Sequence, residues 1–192
     1  YKMNKLFICF HAFLLLFIFL VGGLNKFINF QDTVNSLKTQ INSIELNPIF
    51  IVSVIITIIY FYIILNVQIY NKNNNLYLFL LTIIIITMVG IPFLVFLKKY
   101  LKQSHKLISL LYNITIWGVI ILLFFGSLLI LYSLYTNMYQ DYAYSATIGL
   151  ATFTAMTILI FHFPTNKSEF ISFVKNLSIF GGLMILSQEF IV

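Results

Sequence analysis

Few side chains in this 192-residue sequence are of a kind that does chemistry. His11 and His162 fall on different apolar stretches, and two such imidazoles could ligate a haem or another metal. His11 lies mid-stretch and His162 at the end of one, so their depths differ, and no carboxylate accompanies them. A hydrogen-bonded helix–helix contact for His11 and an interfacial position for His162 are the expected roles. Lys26 after Asn25, and Lys175 before Asn176, stand at the ends of apolar runs, where a lysine stem lies along apolar surface and its ammonium reaches the head groups. Lys98, Lys99, Lys102 and Lys106 cluster with His105 and suit attraction to anionic lipid. The single cysteine, Cys9, excludes an internal disulfide, a CxxC pair and a cysteine-built metal site. All eleven basic residues are lysine, so no guanidinium is present to clamp a carboxylate or phosphate bidentately. No nucleophile–base pair, glycine-rich phosphate loop or pair of intramembrane carboxylates stands out. The sequence reads as non-enzymatic, with no metal site and no cofactor beyond bound phospholipid.

The elements that must position these residues are membrane helices. Hydrophobic residues make up 61% of the chain and charged residues 8%, with a mean hydropathy of +1.01. Soluble domains run near 45–50% apolar and roughly 25% charged, and a chain this small cannot hide so much apolar surface from water. The net charge of +6 comes from lysines set singly between apolar runs, which is a membrane topology signal and not a nucleic-acid surface. A spanning helix needs about 20 apolar residues, and six stretches qualify: 6–24, 48–69, 76–97, 107–134, 143–163 and 174–190. The first lacks the small-residue cleavage pattern of a signal peptide and is expected to be retained. Pro92 after Gly90 predicts a kink in the third, while Pro48 and Pro164 mark boundaries.

With six spans, Lys2, Lys5 and Lys72 share one side, and Lys26, Lys38, Lys98, Lys99, Lys102, Lys106, Lys167 and Lys175 the other. Three against eight places both termini outside. Tyr70 and Tyr77 flank one turn, and Tyr132, Tyr135, Tyr139, Tyr142 and Tyr144 another, as expected for rings at head-group level. Between the first two spans, Phe27, Phe30, Val34, Leu37 and Ile41 recur at spacings of three and four, which predicts an interfacial amphipathic segment over 25–47 with Lys26, Asp32 and Lys38 facing water.

Two segments together carry a family resemblance. The first is Gly22-Gly23-Leu24-Asn25-Lys26-Phe27-Ile28-Asn29-Phe30-Gln31 at the end of the first span. The second joins 143–163, which ends in Thr157, a hydrophobic run and Phe161-His162, to Phe173-Val174-Lys175-Asn176-Leu177 and Gly181-Gly182-Leu183-Met184. Together they resemble the DoxX family, small polytopic proteins built around a four-helix membrane bundle; the surfeit-locus cargo receptors are a related group. The resemblance implies an all-α, single-domain membrane bundle over 1–192, with a four-helix core of 6–24, 107–134, 143–163 and 174–190. Residues 48–97 are then an inserted helical hairpin, and 107–134 lacks the family's acidic residue, which leaves any proton or redox role without its carboxylate. The same resemblance implies quinone or lipid contacts at Lys26, His162, Lys175 and Asn176.

The functional expectation is a non-catalytic integral membrane subunit of a larger assembly. Phe, Tyr, Met, Ile, Asn and Lys form half the chain, a bias of very A/T-rich genomes. It points to an accessory subunit of a mitochondrial respiratory complex in a protist, in the inner membrane. The alternatives are a quinone-linked DoxX-type redox protein, or a cargo receptor or assembly chaperone, in the endoplasmic reticulum or a bacterial-type plasma membrane. Ile55, Ile56, Ile58, Ile59, Ile63, Ile64 and Ile83–Ile86 make the hairpin apolar on every face, so partner subunits are expected at 48–97, flanked by 25–47.

Overall fold

The computed structural model of the protein describes residues 5–43, 55, 105–162 and 167–190; the expected hairpin 48–97, apart from Ile55, and Lys98, Lys99 and Lys102 lie outside them. Among the described residues every regular element is helical. In chain order these are α1 (Lys5–Ile28), α2 (Phe30–Ser43), α3 (His105–Ile121), a π-helical turn (Leu122–Gly126), α4 (Ser127–Thr136), α5 (Gln140–Phe161) and α6 (Lys167–Ser187), closed by a 3-10 turn at Gln188–Phe190. Three stretches, Lys5–Ile28, Tyr112–Thr136 and Glu169–Phe190, are long and apolar enough to cross a membrane, which is compatible with an integral membrane protein. The fifth expected span, 143–163, overlaps the 22-residue α5, which is helical but is not one of these three stretches.

Helix α5 packs against α6, α4 and the π turn, while α1 packs against α4, the π turn and α3. Each contributes a stripe to one apolar core: Ala12, Leu16 and Phe19 from α1, Leu123, Ile130 and Leu134 from the π turn and α4, Leu183 and Leu186 from α6. Every residue from Ala143 to Thr152 is buried, so this stretch of α5 belongs to the core. Its composition explains how. Ala143, Ala146, Gly149 and Ala151 let neighbouring backbones come close, and its hydroxyls need no outside partner. Ser145, Thr147, Thr152, Thr154 and Thr157 each donate to the carbonyl four residues earlier, at 2.7–2.9 Å. A buried hydroxyl without a partner costs about 1–3 kcal/mol, and each of these avoids it within its own helix.

The two Gly-Gly pairs do unequal work. A Cβ on Gly23 would sit 3.2 Å from Leu123 Cβ and 3.3 Å from the Phe124 backbone nitrogen, so α1 crosses the π turn at backbone distance. On Gly182 it would meet the Leu15 methyls at 3.3 and 3.4 Å, whereas nothing lies within 4 Å of Gly22 or Gly181.

Three features differ from the sequence expectation. Helix α1 does not stop at residue 24 but runs one more turn through Lys26 to Ile28. The Asn29 N–H donates to the Asn25 carbonyl at 2.9 Å, and Asn29 Nδ2 to Asn25 Oδ1 at 2.9 Å, so helical hydrogen bonding carries on across the polar residues. The predicted span 107–134 is not one straight helix, because the π turn interrupts it; the Ser127 hydroxyl donates to the Leu123 carbonyl at 2.7 Å beside the turn. Tyr144 is buried in the core, unlike Tyr132, Tyr135 and Tyr139, which are exposed about the α4–α5 turn. That turn is tight: Asn137 and Tyr139 both take the left-handed conformation, at φ 60° and 58°.

Helix α2 docks across one end of the bundle. Val34 and Leu37 are buried against Ile116 and Ile120 of α3, flanked by Phe30, Tyr112 and Phe161. Burial of two such side chains stabilises the docked helix by about 1.5–3 kcal/mol each where the alternative is water. Lys38 Nζ lies 5.9 Å from the Tyr112 ring centroid, within cation–π range.

Candidate functional site

The end of α1, the inner face of α2, the first half of α3 and the end of α5 enclose a cavity of about 420 Å³, within the size range of small-molecule sites, roughly 300–1,000 Å³. One wall is apolar, formed by Leu37, Ile116, Val119, Phe153, Met156 and Phe161. The other is polar. Asn25, Lys26 and Asn29 come from the last turn of α1 and the residue after it, Asp32, Thr33 and Ser36 from α2. Thr115, Thr157 and His162 complete the lining.

Several of these polar groups are already engaged. Thr33 donates to the Asn29 carbonyl at 2.9 Å and Thr157 to the Phe153 carbonyl at 2.9 Å. His162 follows the last residue of α5, where its N–H donates to the Ile158 carbonyl at 3.1 Å. Its ring Nδ1 lies 3.0 Å from Glu169 Oε2 on α6, so the carboxylate accepts from Nδ1 and Nε2 stays free to meet a ligand. Asp32 is exposed in the first turn of α2, where the helix N-terminus favours a negative charge.

Others are open. Lys26 is half-buried and forms no ion pair or hydrogen bond among the described residues. Thr115 is only 8% exposed, and its hydroxyl, in contrast to those of α5, has no hydrogen-bond partner among the described residues. Asn25 retains its amide N–H groups, since its Oδ1 is the atom that meets Asn29. The cavity therefore offers a cation and neutral donors beside an apolar wall, a combination that receives a polar head and an apolar body together.

Of the four residues singled out for quinone or lipid contact, Lys26 and His162 line this one cavity, from α1 and α5. Lys175 is exposed and Asn176 half-buried on α6, and neither lines it. Lys26 thus faces the cavity and not open water, because α1 continues past it and α2 folds back over it. Lys106 lies in the first turn of α3. His11 is exposed on the outer face of α1, where its Nδ1 lies 2.8 Å from the Phe7 carbonyl and its ring 4.0 Å from that of Phe7. Its hydrogen bond stays within α1 and does not join two helices, and it shares no site with His162.

Thr115, Asn29 and Ser36 went unnoticed in the sequence. A signal for the last two existed: Asn25, Asn29, Asp32, Thr33 and Ser36 recur at helical spacing, a polar stripe that runs unbroken from α1 into α2. For Thr115, a lone threonine in an apolar helix, there was none. Comparison of the chain with protein-family models, with curated proteins and with solved structures finds no match.

Proposed function

We propose that this chain is a non-catalytic integral membrane subunit of a larger membrane assembly, organised around a DoxX-like four-helix core. The observation that carries the reading is the outer face of α1. Phe7, Phe10, Phe13, Leu14, Phe17 and Ile18 all point away from the core and are exposed over three turns. A continuous apolar face of that size is suited to lipid or to another protein's helices. In this reading 48–97 and 25–47 meet neighbouring subunits, and Lys98, Lys99, Lys102 and Lys106 attract anionic lipid. The A/T-biased composition is what supports taking the assembly to be a respiratory complex of a protist mitochondrial inner membrane, with this chain an accessory part. Blue-native electrophoresis of gently solubilised membranes tests it: the chain should migrate within a band several times its 22.3 kDa mass. Migration only as a monomer defeats the reading.

One observation favours a second reading, a quinone-linked membrane protein. Lys26 and His162, far apart in the chain, share a single cavity with an apolar wall. Decylubiquinone should then bind the purified protein, and less well after His162→Ala.

A further inference from the structure

Among the open polar groups of the cavity, Lys26 and Asn25 supply N–H donors, and Thr115 and Ser36 hydroxyls that can donate. Lys26 brings a positive charge in the last turn of α1, where a cation is also favoured by the helix C-terminus. Half-buried and unpaired, that ammonium has given up part of its hydration with no counter-charge in contact. Thr115, a residue 8% exposed, lines the cavity and presents a hydroxyl bonded to nothing described. Asn25 adds amide N–H groups, and Ser36 a hydroxyl. The carboxylate in the lining, Asp32, is exposed and makes no ion pair with Lys26, so it does not neutralise it. Glu169 is turned to His162 Nδ1. The lining also includes Ile116, Val119, Phe153 and Met156, which offer nothing to hydrogen-bond and much to pack against.

We propose that this cavity binds a membrane amphiphile whose head group is net negative, a phosphate without a balancing cation or a carboxylate. The head is held by Lys26, Asn25 and Thr115, and its hydrocarbon lies along the wall of Ile116, Val119, Phe153 and Met156. A neutral quinone would satisfy the apolar wall but leave the ammonium without a counter-charge. A free phosphate would satisfy the ammonium but leave the apolar wall bare. The amphiphile meets both. The proposal concerns the cavity alone and stands whether or not the chain has partner subunits.

Native mass spectrometry of the purified full chain in mild detergent tests it. The protein is titrated with phosphatidylglycerol, with oleate and with phosphatidylcholine, and one-ligand adducts are compared. Phosphatidylglycerol or oleate should bind at least about tenfold more tightly than phosphatidylcholine, the worth of one charge-assisted hydrogen bond. Whichever of the two prevails assigns the head group. Lys26→Gln should abolish the preference and Thr115→Val should weaken it several-fold, while Lys175→Gln, outside the cavity, should leave it intact. Helicity of each variant is checked by circular dichroism; because Thr115→Val is close to isosteric, it reports on the site even where Lys26→Gln folds poorly. A preference that survives both cavity substitutions overturns the proposal. So does displacement of the bound lipid by inorganic phosphate, or by decylubiquinone in preference to either anionic amphiphile.

Discussion

Alanine at position 23 would place its Cβ 3.2 Å from Leu123 Cβ, 3.3 Å from the Phe124 backbone nitrogen and 3.4 Å from Phe124 Cβ. None of these atoms is the far end of a flexible side chain; relief requires α1 and the π turn to move apart by a few tenths of an ångström. Overpacking of this kind costs about 1–3 kcal/mol, against about 1 kcal/mol gained by replacing glycine with alanine inside a helix. Gly23→Ala should therefore lose up to about 2 kcal/mol. At Gly22, one residue away, nothing lies within 4 Å, and only the gain remains. Gly181→Ala should behave like Gly22→Ala, for the same reason. Gly182→Ala should fall between, because the Leu15 methyls it meets can rotate. Unfolding in mixed micelles titrated with dodecyl sulfate, followed by circular dichroism, gives the order directly. Equal stability of Gly22→Ala and Gly23→Ala would refute the close crossing, and with it the account of how α1 is held.

Two further substitutions probe the core and the docked helix. Leu16 is fully buried, so Leu16→Ala should cost about 2–5 kcal/mol, whereas Phe17→Ala, on the exposed face, should change stability far less in the same titration. Leu37→Ala removes half of the apolar anchor of α2 and should leave the helical content of the bundle intact while speeding protease cleavage within 30–43; unchanged cleavage would mean that α2 is held by something other than Val34 and Leu37.

What was legible in the sequence follows from what periodicity encodes. The apolar runs announced helices, and the 3,4 spacing of Phe30, Val34 and Leu37 announced the buried face of α2. The π turn was hidden for a physical reason. Ile116, Ile120, Leu123, Ser127, Ile130 and Leu134 keep an unbroken 3,4 alternation, which reads as a single stripe on a straight helix. A π turn holds one extra residue, which turns the following face by roughly 100°. The stripe on α3 therefore faces α1 and α2, while the stripe on α4 faces α1 and α5. The cavity was half legible. Lys26 and His162 stood out in the sequence, but their meeting depends on where α1 ends and α5 ends. The amphipathic pattern of 25–47 marks a polar face without saying whether that face meets water or another helix. Thr115 was invisible because a threonine that bonds back to its own helix and one that opens into a cavity look the same in a sequence.

The hydroxyls of α5 have a consequence for how the protein is made. Its five serine and threonine side chains close their hydrogen bonds inside the helix that carries them. A segment so arranged can leave the translocation machinery and rest in hydrocarbon with none of these hydroxyls waiting for a neighbour. When α4 and α6 later pack against it, no hydrogen bond of these side chains has to be exchanged. Assembly is then decided by fit between surfaces, and the most buried helix of the protein has no need to be the last to arrive.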